Sequence, residues 1–422
     1  MDKTKPFEIP KQWVWEAYKQ VRSRKGGPGH DGQSLQMFEA DVGNNLYKLW
    51  NRMSSGSYMP PPVLLVEIPK ADGGTRPLGI PTVSDRVAQM VVKRLLEPEL
   101  ERVFHPDSYG YRPHKGALDA VAITRERCWR HPWVVDLDIK AFFDTIDHDL
   151  LLKAVRHHTQ NRWAIMYIER WLKADLILSD GTRRARSRGT PQGGVISPLL
   201  ANLFLHYVFD CWMSRTWSDV PFARYADDAV CHCRSLEQAQ RLVRSLEARF
   251  AECGLTLHPE KTRIVWCRKG EPFGGPHPEK SFDFLGYTFR LRPSRTRTGH
   301  LFMGFNPAVS RKALKAMGTT IRSWKLHRRV RLTLASLAGE MNSTLRGWIA
   351  YYGRFNIAEM HNVFRHLEQR LARWARQKYK SMRRNRTKSW AFLRTMRERT
   401  PGLFEHWRIL YTGRKGSMTR AV

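Results

Sequence analysis

Apolar positions recur at helical spacing along several long stretches of the chain and alternate in shorter ones, and these two periods sort the sequence into elements. Residues 10–21 read as a helix. The turn-rich Gly26-Gly27-Pro28-Gly29-His30-Asp31-Gly32 follows, then a second helical run through Leu35, Phe38, Val42, Leu46 and Leu49. Residues 63–69 alternate as a strand, Ala71-Asp72-Gly73-Gly74 supplies a turn and residues 75–80 return, which makes a hairpin carrying Lys70 and Arg76. Residues 85–100 read as a helix, 133–139 as a strand and 149–155 as the start of a helix. Residues 197–212 read as a helix opened by Ser197-Pro198 in cap and first-turn positions. An amphipathic helix over 236–253 precedes strand-like 261–266 and 282–289. Long helices among a few short strands suit an α+β fold, not a doubly wound sheet.

After about Arg292 the pattern changes to basic helices. The clearest puts Val363, Phe364, Leu367, Leu371 and Trp374 on one face and Arg365, Arg370, Arg373 and Arg376 on the rest, which predicts a helical bundle with a cationic exterior. From Lys380 the chain turns shorter-ranged and very basic, and residues 413–422 read as a frayed tail.

A chain of 422 residues with 42% apolar content suits one large or two moderate cores, and a net charge of +33 points to a polyanionic partner. Nucleic acid is favoured over an anionic membrane surface, because no basic amphipathic helix stands alone. From Phe305 onward there are 27 Lys and Arg against 5 Asp and Glu, so +22 of the +33 lies in the last quarter or so of the chain. No signal peptide or bilayer-length apolar run is evident, so a cytoplasm-like compartment and no membrane partner are expected. The six Cys lack C-x-x-C pairs and read as buried free thiols.

The candidate chemistry lies in acidic pairs. Tyr225-Ala226-Asp227-Asp228 stands between two short apolar runs that read as a hairpin with both carboxylates at its tip. Repulsion between them is costly unless cations neutralise it, as in two-metal nucleotidyl transfer; the alternative is a solvated Asp-Asp turn. Upstream, Trp133-Val134-Val135-Asp136-Leu137-Asp138-Ile139 puts Asp136 and Asp138 on one strand face, and facing strands would bring Asp138 toward Asp227. Asp136, Asp144, Asp147 and Asp149 read rather as caps or solvated positions.

The ordered set of motifs resembles the group II intron-encoded reverse transcriptases, in the bacterial type without an HNH endonuclease domain. It runs through Gly29-His30-Asp31-Gly32; Ile68-Pro69-Lys70 with Gly74-Thr75-Arg76-Pro77-Leu78-Gly79-Ile80-Pro81; Ser108-Tyr109-Gly110-Tyr111-Arg112-Pro113; and Asp138 through Asp144. It continues with Gly189-Thr190-Pro191-Gln192-Gly193-Gly194-Val195-Ile196-Ser197-Pro198, Tyr225 to Asp228, Leu255-Thr256-Leu257 with Glu260-Lys261-Thr262, and Phe284-Leu285-Gly286-Tyr287. Met341-Asn342-Ser343-Thr344-Leu345-Arg346-Gly347-Trp348-Ile349-Ala350-Tyr351-Tyr352 resembles the maturase, or X, domain. His30 and Ala350 replace an aliphatic residue and an Asn that relatives often carry. No Cys follows Cys267, and His361, His366 and His406 are wrongly spaced for the HNH nuclease.

The resemblance implies an α+β right-hand polymerase fold with an α-helical thumb. Residues 1–130 would form fingers with a template-lid extension and part of the palm, 131–292 the palm, 293–380 the thumb or X domain, and 381–422 a basic nucleic-acid-binding extension. It implies catalytic Asp138, Asp227 and Asp228, and two Mg²⁺ ions on Asp138, Asp227 and the Ile139 carbonyl. It also implies a dNTP site of Lys70, Arg76, Ile139, Phe143 and Gln192, with Phe143 excluding a 2′-hydroxyl. Gly29, Arg112, Gly193, Arg346, Trp348 and Tyr351 would meet template, primer or RNA. By residue type alone Phe143 reads as core, Lys70 and Arg76 as hairpin cations able to reach phosphates with a structural salt bridge as the alternative, and Trp348, Tyr351 and Tyr352 equally as thumb core or RNA-stacking groups. The implied partners are group II intron RNA, an RNA template with a DNA primer, target DNA and dNTPs. A splicing cofactor with a vestigial polymerase, or a relative recruited to host defence or DNA repair, are the rival readings.

Overall fold

A computed structural model describes residues 5–69, 74–272, 275, 277, 279–295 and 298–412. Lys70, the 71–73 part of the first hairpin turn and the 413–422 tail lie outside the described residues. The chain divides into two compact units, Met1–Ala120 with Val135–Arg263, and Val121–Val134 with Ile264–Val422.

In the first unit the helices Lys11–Ser23, Val42–Ser55 and Val83–Val103 pack together at the N-terminal end. Val14, Ala17, Tyr18 and Val21 recur every three to four residues and form the buried stripe of the first helix. The long Val83–Val103 helix starts where the Thr82 side chain accepts from the Asp85 amide, and it carries Pro98 within its last turns. The strands Val63–Pro69 and Thr75–Ile80 pair antiparallel from Leu64↔Ile80 to Pro69↔Thr75, as their alternation predicts.

The strands Phe222–Tyr225 and Asp228–Cys233 pair with Tyr225 opposite Asp228, so Ala226 and Asp227 form a two-residue turn. Ala226 has φ +58°, the positive value that a tight hairpin turn of this kind demands. Asp228–Cys233 lies next to the Trp133–Leu137 strand, whose residues 135–137 belong to this unit. All but the first residue of Asp228–Cys233 are buried, and Leu205, Phe209 and Phe250 join Leu137 and Ile139 in an apolar floor beneath Asp227. Leu205 and Phe209 come from a helix that the apolar pattern reads as unbroken over 197–212. It instead changes from α (Ser197–Leu205) to π (His206–Asp210) and back to α (Cys211–Thr216). A π turn adds a residue without breaking the helix, and the apolar run offers no period by which to see it.

In the second unit, residues 282–289 form no single strand. Leu285 and Gly286, with φ +51° and +79°, turn the chain between Ser281–Phe284 and Tyr287–Arg295. Tyr287–Arg295 then pairs along its length with Leu301–Val309, so the helices expected from about Arg292 begin only at Arg311. The physical reason is the stack formed by Phe282 on Phe289 and Phe305, at 4.7 and 6.0 Å between ring centroids, which buries three aromatic rings on one sheet face.

Beyond the sheet the helices Arg311–Ser323, Leu334–Asn356 and His361–Lys378 share a core that includes Leu337, Met341, Leu345, Phe364, Leu367, Leu371 and Trp374. Leu393, Phe404 and Trp407 belong to the same core, so described residues past 381 pack into the bundle where a separate basic extension is expected. Glu368, buried in the bundle, accepts from His406 Nε2 at 2.8 Å and Trp407 Nε1 at 2.7 Å. All six cysteines are free thiols, and five are buried. Among the described residues no helix is long and apolar enough to cross a membrane.

Candidate active site

The Ala226-Asp227 turn is held from below by Arg224. In the Phe222–Tyr225 strand its side chain points into the core, 1% exposed, and donates from Nε and Nη2 to the two carboxylate oxygens of Asp210 at 2.7 and 2.6 Å. Its Nη1 donates to the Ala226 carbonyl at 2.9 Å and to Asn202 Oδ1 at 3.1 Å, while Asn202 Nδ2 donates to the Gly110 carbonyl at 2.6 Å. Asp210 closes the π turn, which aims it at the strand. A buried Arg with every neighbour satisfied fixes the turn geometry, so the carboxylates at its tip are preorganised.

Asp138 follows the Trp133–Leu137 strand. Its carbonyl accepts from His258 N at 2.8 Å, and Ile139 bridges antiparallel to Leu257. The segment before Lys261 is thereby pinned beside Asp138, and Lys261 Nζ lies 2.9 Å from Asp138 Oδ2. Asp138 and Asp227 are near enough to perturb one another. Burial first, and then the Asp138 charge, raise the Asp227 carboxyl above its ordinary value. Loss of hydration and then the charges of Asp227 and Asp138 push Asp228 up to about 7, although its surface stays open to solvent.

As positioned, no three His, Cys, Asp or Glu side chains among the described residues converge on one metal-binding point, and Asp138 is engaged by Lys261. The donor chemistry still fits Mg²⁺: the groups are oxygen only, and the mutual repulsion of three carboxylates is what a divalent cation relieves.

Arg76, on the Thr75–Ile80 strand, donates from Nε to Gln192 Oε1 at 2.5 Å, and Gly79 N donates to the Gln192 carbonyl at 2.6 Å. Two residues expected at one nucleotide site, 116 positions apart, are therefore in contact. Gly193, at φ +115°, follows in a backbone conformation that a side chain rarely adopts, and a Cβ there would strike the Gly79 carbonyl. Phe143 is 5% exposed, edge-on to Phe142 at 5.3 Å, and its carbonyl accepts from Thr190 N at 2.8 Å. Gly29 packs on Thr82, where a Cβ would come within 2.7 Å of the Thr82 Cα.

Arg112 is directed inward. It pairs with Glu101 at 2.9 Å and donates to the His105 and Ser108 carbonyls at 2.7 and 2.8 Å, which leaves its guanidinium engaged within the protein. In the second unit Arg346 is largely exposed, 3.9 Å from Glu405. Trp348 is half-buried with its ring stacked on Trp324 at 6.0 Å. Tyr351 donates to the Leu285 carbonyl at 2.8 Å, and its own carbonyl accepts from Tyr287. Arg224, Asp210 and Gln89 are site-supporting residues that sequence reading passed over, whereas Lys261 stood in the Glu260-Lys261-Thr262 motif. The one signal was Arg224, a charged residue at an inward position of an apolar strand.

The family model described as reverse transcriptase (RNA-dependent DNA polymerase) matches residues 68–289, and that described as group II intron, maturase-specific domain matches residues 314–390. Protein YkfC of Escherichia coli is 33% identical over 330 residues, 69% of this chain and 83% of YkfC. The group II intron-encoded protein LtrA of Lactococcus lactis is 36% identical over 160 residues, 38% of this chain and 26% of LtrA. The putative COX1/OXI3 intron 1 protein of Saccharomyces cerevisiae is 30% identical over 197 residues, 47% of this chain and 23% of that protein. The site at the Ala226-Asp227 turn falls inside the first matched region and the helical bundle spans the second, and on these matches the chain belongs to the reverse transcriptase (RNA-dependent DNA polymerase) family, with the group II intron maturase-specific domain.

Proposed function

We propose that the RNA-directed DNA polymerase activity of this chain is carried by Asp138, Asp227 and Asp228, with Arg76 and Gln192 receiving the incoming dNTP. The observation that supports this most is the juxtaposition of Asp227 and Asp228, their carboxyls raised by burial and by the nearby Asp138 charge, on a hairpin whose turn Arg224 locks. Two Mg²⁺ ions held by Asp138, Asp227 and the Ile139 carbonyl would activate a primer 3′-hydroxyl and neutralise the triphosphate. Arg76 offers a fixed guanidinium for the phosphates, and Gln192 a side-chain amide beside it. Phe143 forms a rigid wall against which a 2′-hydroxyl would clash. Lys70, which lies outside the described residues, is assigned to the same site on the sequence resemblance alone.

The second unit binds group II intron RNA in this reading, with target DNA and the RNA template and DNA primer as further nucleic-acid partners. Its dense Lys and Arg and the exposed Arg346 support a backbone grip. Primer extension on an RNA template tests the first part. Asp227→Ala and Asp138→Ala should each abolish extension while leaving RNA binding intact, and unchanged extension in either would refute the assignment. Intron-RNA binding that does not weaken steeply with salt would refute the second.

A further inference from the structure

We infer that Gln89 and Asp85, buried in the Val83–Val103 helix, are positioning residues for the nucleotide loop, setting its affinity for dNTP through the backbone of Val195 and Ile196. The inference rests on the reading that Gln192 and Arg76 receive the dNTP.

Asp85 is inaccessible to solvent and Gln89 is 2% exposed. Asp85 Oδ1 accepts from Tyr58 Oη at 2.8 Å and Trp171 Nε1 at 2.7 Å, and its Oδ2 accepts from Gln89 Nε2 at 2.9 Å. The Gln89 amide is thereby oriented. Its nitrogen must face the carboxylate, so its oxygen faces away, where it accepts from Val195 N at 2.7 Å and Ile196 N at 3.3 Å. Burial lifts the Asp85 carboxyl to about 6 against the pull of its three donors, so at pH 8 it is ionised and acts only as an acceptor.

Those two amides end the turn that begins at Pro191, whose carbonyl accepts from Gly194 N at 3.2 Å, and the turn presents Gln192. Gln192 is tied on its other side to Gly79 N and to Arg76. The loop is thus gripped at both ends, by the hairpin and by the Val83–Val103 helix. Its base depends on the direction of one side-chain amide. Gly194 packs tightly here, since a Cβ would come within 2.4 Å of Ser197 Oγ and 3.3 Å of Gln89 Oε1.

The polarity of the relay gives the test. Asp85→Asn puts an amide nitrogen where Oδ2 faces Gln89, so two donors oppose each other and Gln89 turns its nitrogen toward the loop amides. Gln89→Leu removes the acceptor outright. The exchange Asp85→Asn/Gln89→Glu restores the pattern with the charge conserved: the new amide donates to the new carboxylate, and that carboxylate accepts from Val195 N. Steady-state primer extension on an RNA template at pH 8 is the assay, with melting temperature recorded for each full-length variant.

Each single change is expected to raise the KM for dNTP about tenfold, the scale of one lost hydrogen bond, with a smaller change in kcat. The exchange should return KM to within about twofold of wild type. An exchange no better than its folded single variants overturns the inference, as does an unchanged KM in either folded single variant. If Gln89→Leu does not fold, Asp85→Asn and the exchange still decide it. Gln192→Ala and Arg76→Ala are the controls: unchanged KM in these sinks the nucleotide site itself, whereas raised KM here alone sinks only the relay.

Discussion

Arg224 and Asp210 form a two-pronged ion pair from which water is excluded, 1% and 0% exposed, and the third arm of the same guanidinium holds the carbonyl of Ala226. The pair thus joins two tasks that mutation can separate. Arg224→Met leaves Asp210 buried without its guanidinium partner, and should destabilise the chain by about 3–5 kcal/mol, as broken buried pairs do. Arg224→Leu with Asp210→Leu removes both charges and should recover most of that stability. It should not recover primer extension, because the Ala226 carbonyl has lost its donor. Denaturant unfolding alongside extension assays reads both, and full activity in the double variant would contradict the role given to the third arm.

His206, one π turn before Asp210, has a pH signature. Burial alone would depress its pKa, but Asp210, 3.7 Å away, and Cys211, 3.3 Å away, outweigh this and raise it to about 9. A folded-state value above the unfolded one means that the proton favours folding. The contribution is complete below the ordinary value of about 6.5 and is lost as pH rises through about 9. Unfolding midpoints of wild type should therefore fall more steeply from pH 6.5 to 9 than those of His206→Gln. Parallel slopes would dismiss the linkage.

Lys261 occupies Asp138, so a metal ion held by Asp138, as proposed, would compete with a resident ammonium. The pair is solvent-exposed and contributes about 0.2–1 kcal/mol, so Lys261→Met should tighten Mn²⁺ binding by up to about fivefold. Calorimetric titration of the full chain without nucleotide measures this. Weaker binding in the variant would mean that Lys261 organises the site and does not compete for it.

Glu368 clasps His406 and Trp407 inside the bundle. Glu368→Ala leaves two buried donors without their acceptor, at about 1–3 kcal/mol each, and should free the Arg386–Arg399 and Trp407–Thr412 helices from the core. Limited proteolysis should then cut between residues 380 and 405 well before it cuts elsewhere. A wild-type cleavage pattern would show that the apolar contacts of Leu393, Phe404 and Trp407 suffice.

Much of this was legible in residue order. The hairpin announced itself because two short apolar runs flank Asp227 and Asp228, though its turn falls one residue earlier, at Ala226-Asp227, with Asp228 opening the second strand opposite Tyr225; the first helices did so because their stripes keep a 3.6 period. What escaped was set by distant partners. Nothing local marks residues 301–309 as a strand until Phe305 finds Phe282 twenty-three positions earlier. The π turn is invisible in a run where nearly every residue is apolar. Gln89 reads as an ordinary polar residue in a helix, and only the fold puts Val195 against it. Arg112, which the resemblance gives to template, primer or RNA, is held by Glu101 and by the His105 and Ser108 carbonyls, partners that residue order does not show.

The bridging of Ile139 to Leu257 also sets a schedule for biosynthesis. Asp138 is made early, yet the segment that pins it, through His258 N on its carbonyl, lies 120 residues later (258 less 138). At roughly 5–20 residues per second, about 6–24 s separate the two during translation. A nascent chain therefore carries Asp138 for many seconds before the segment that pins it has been made.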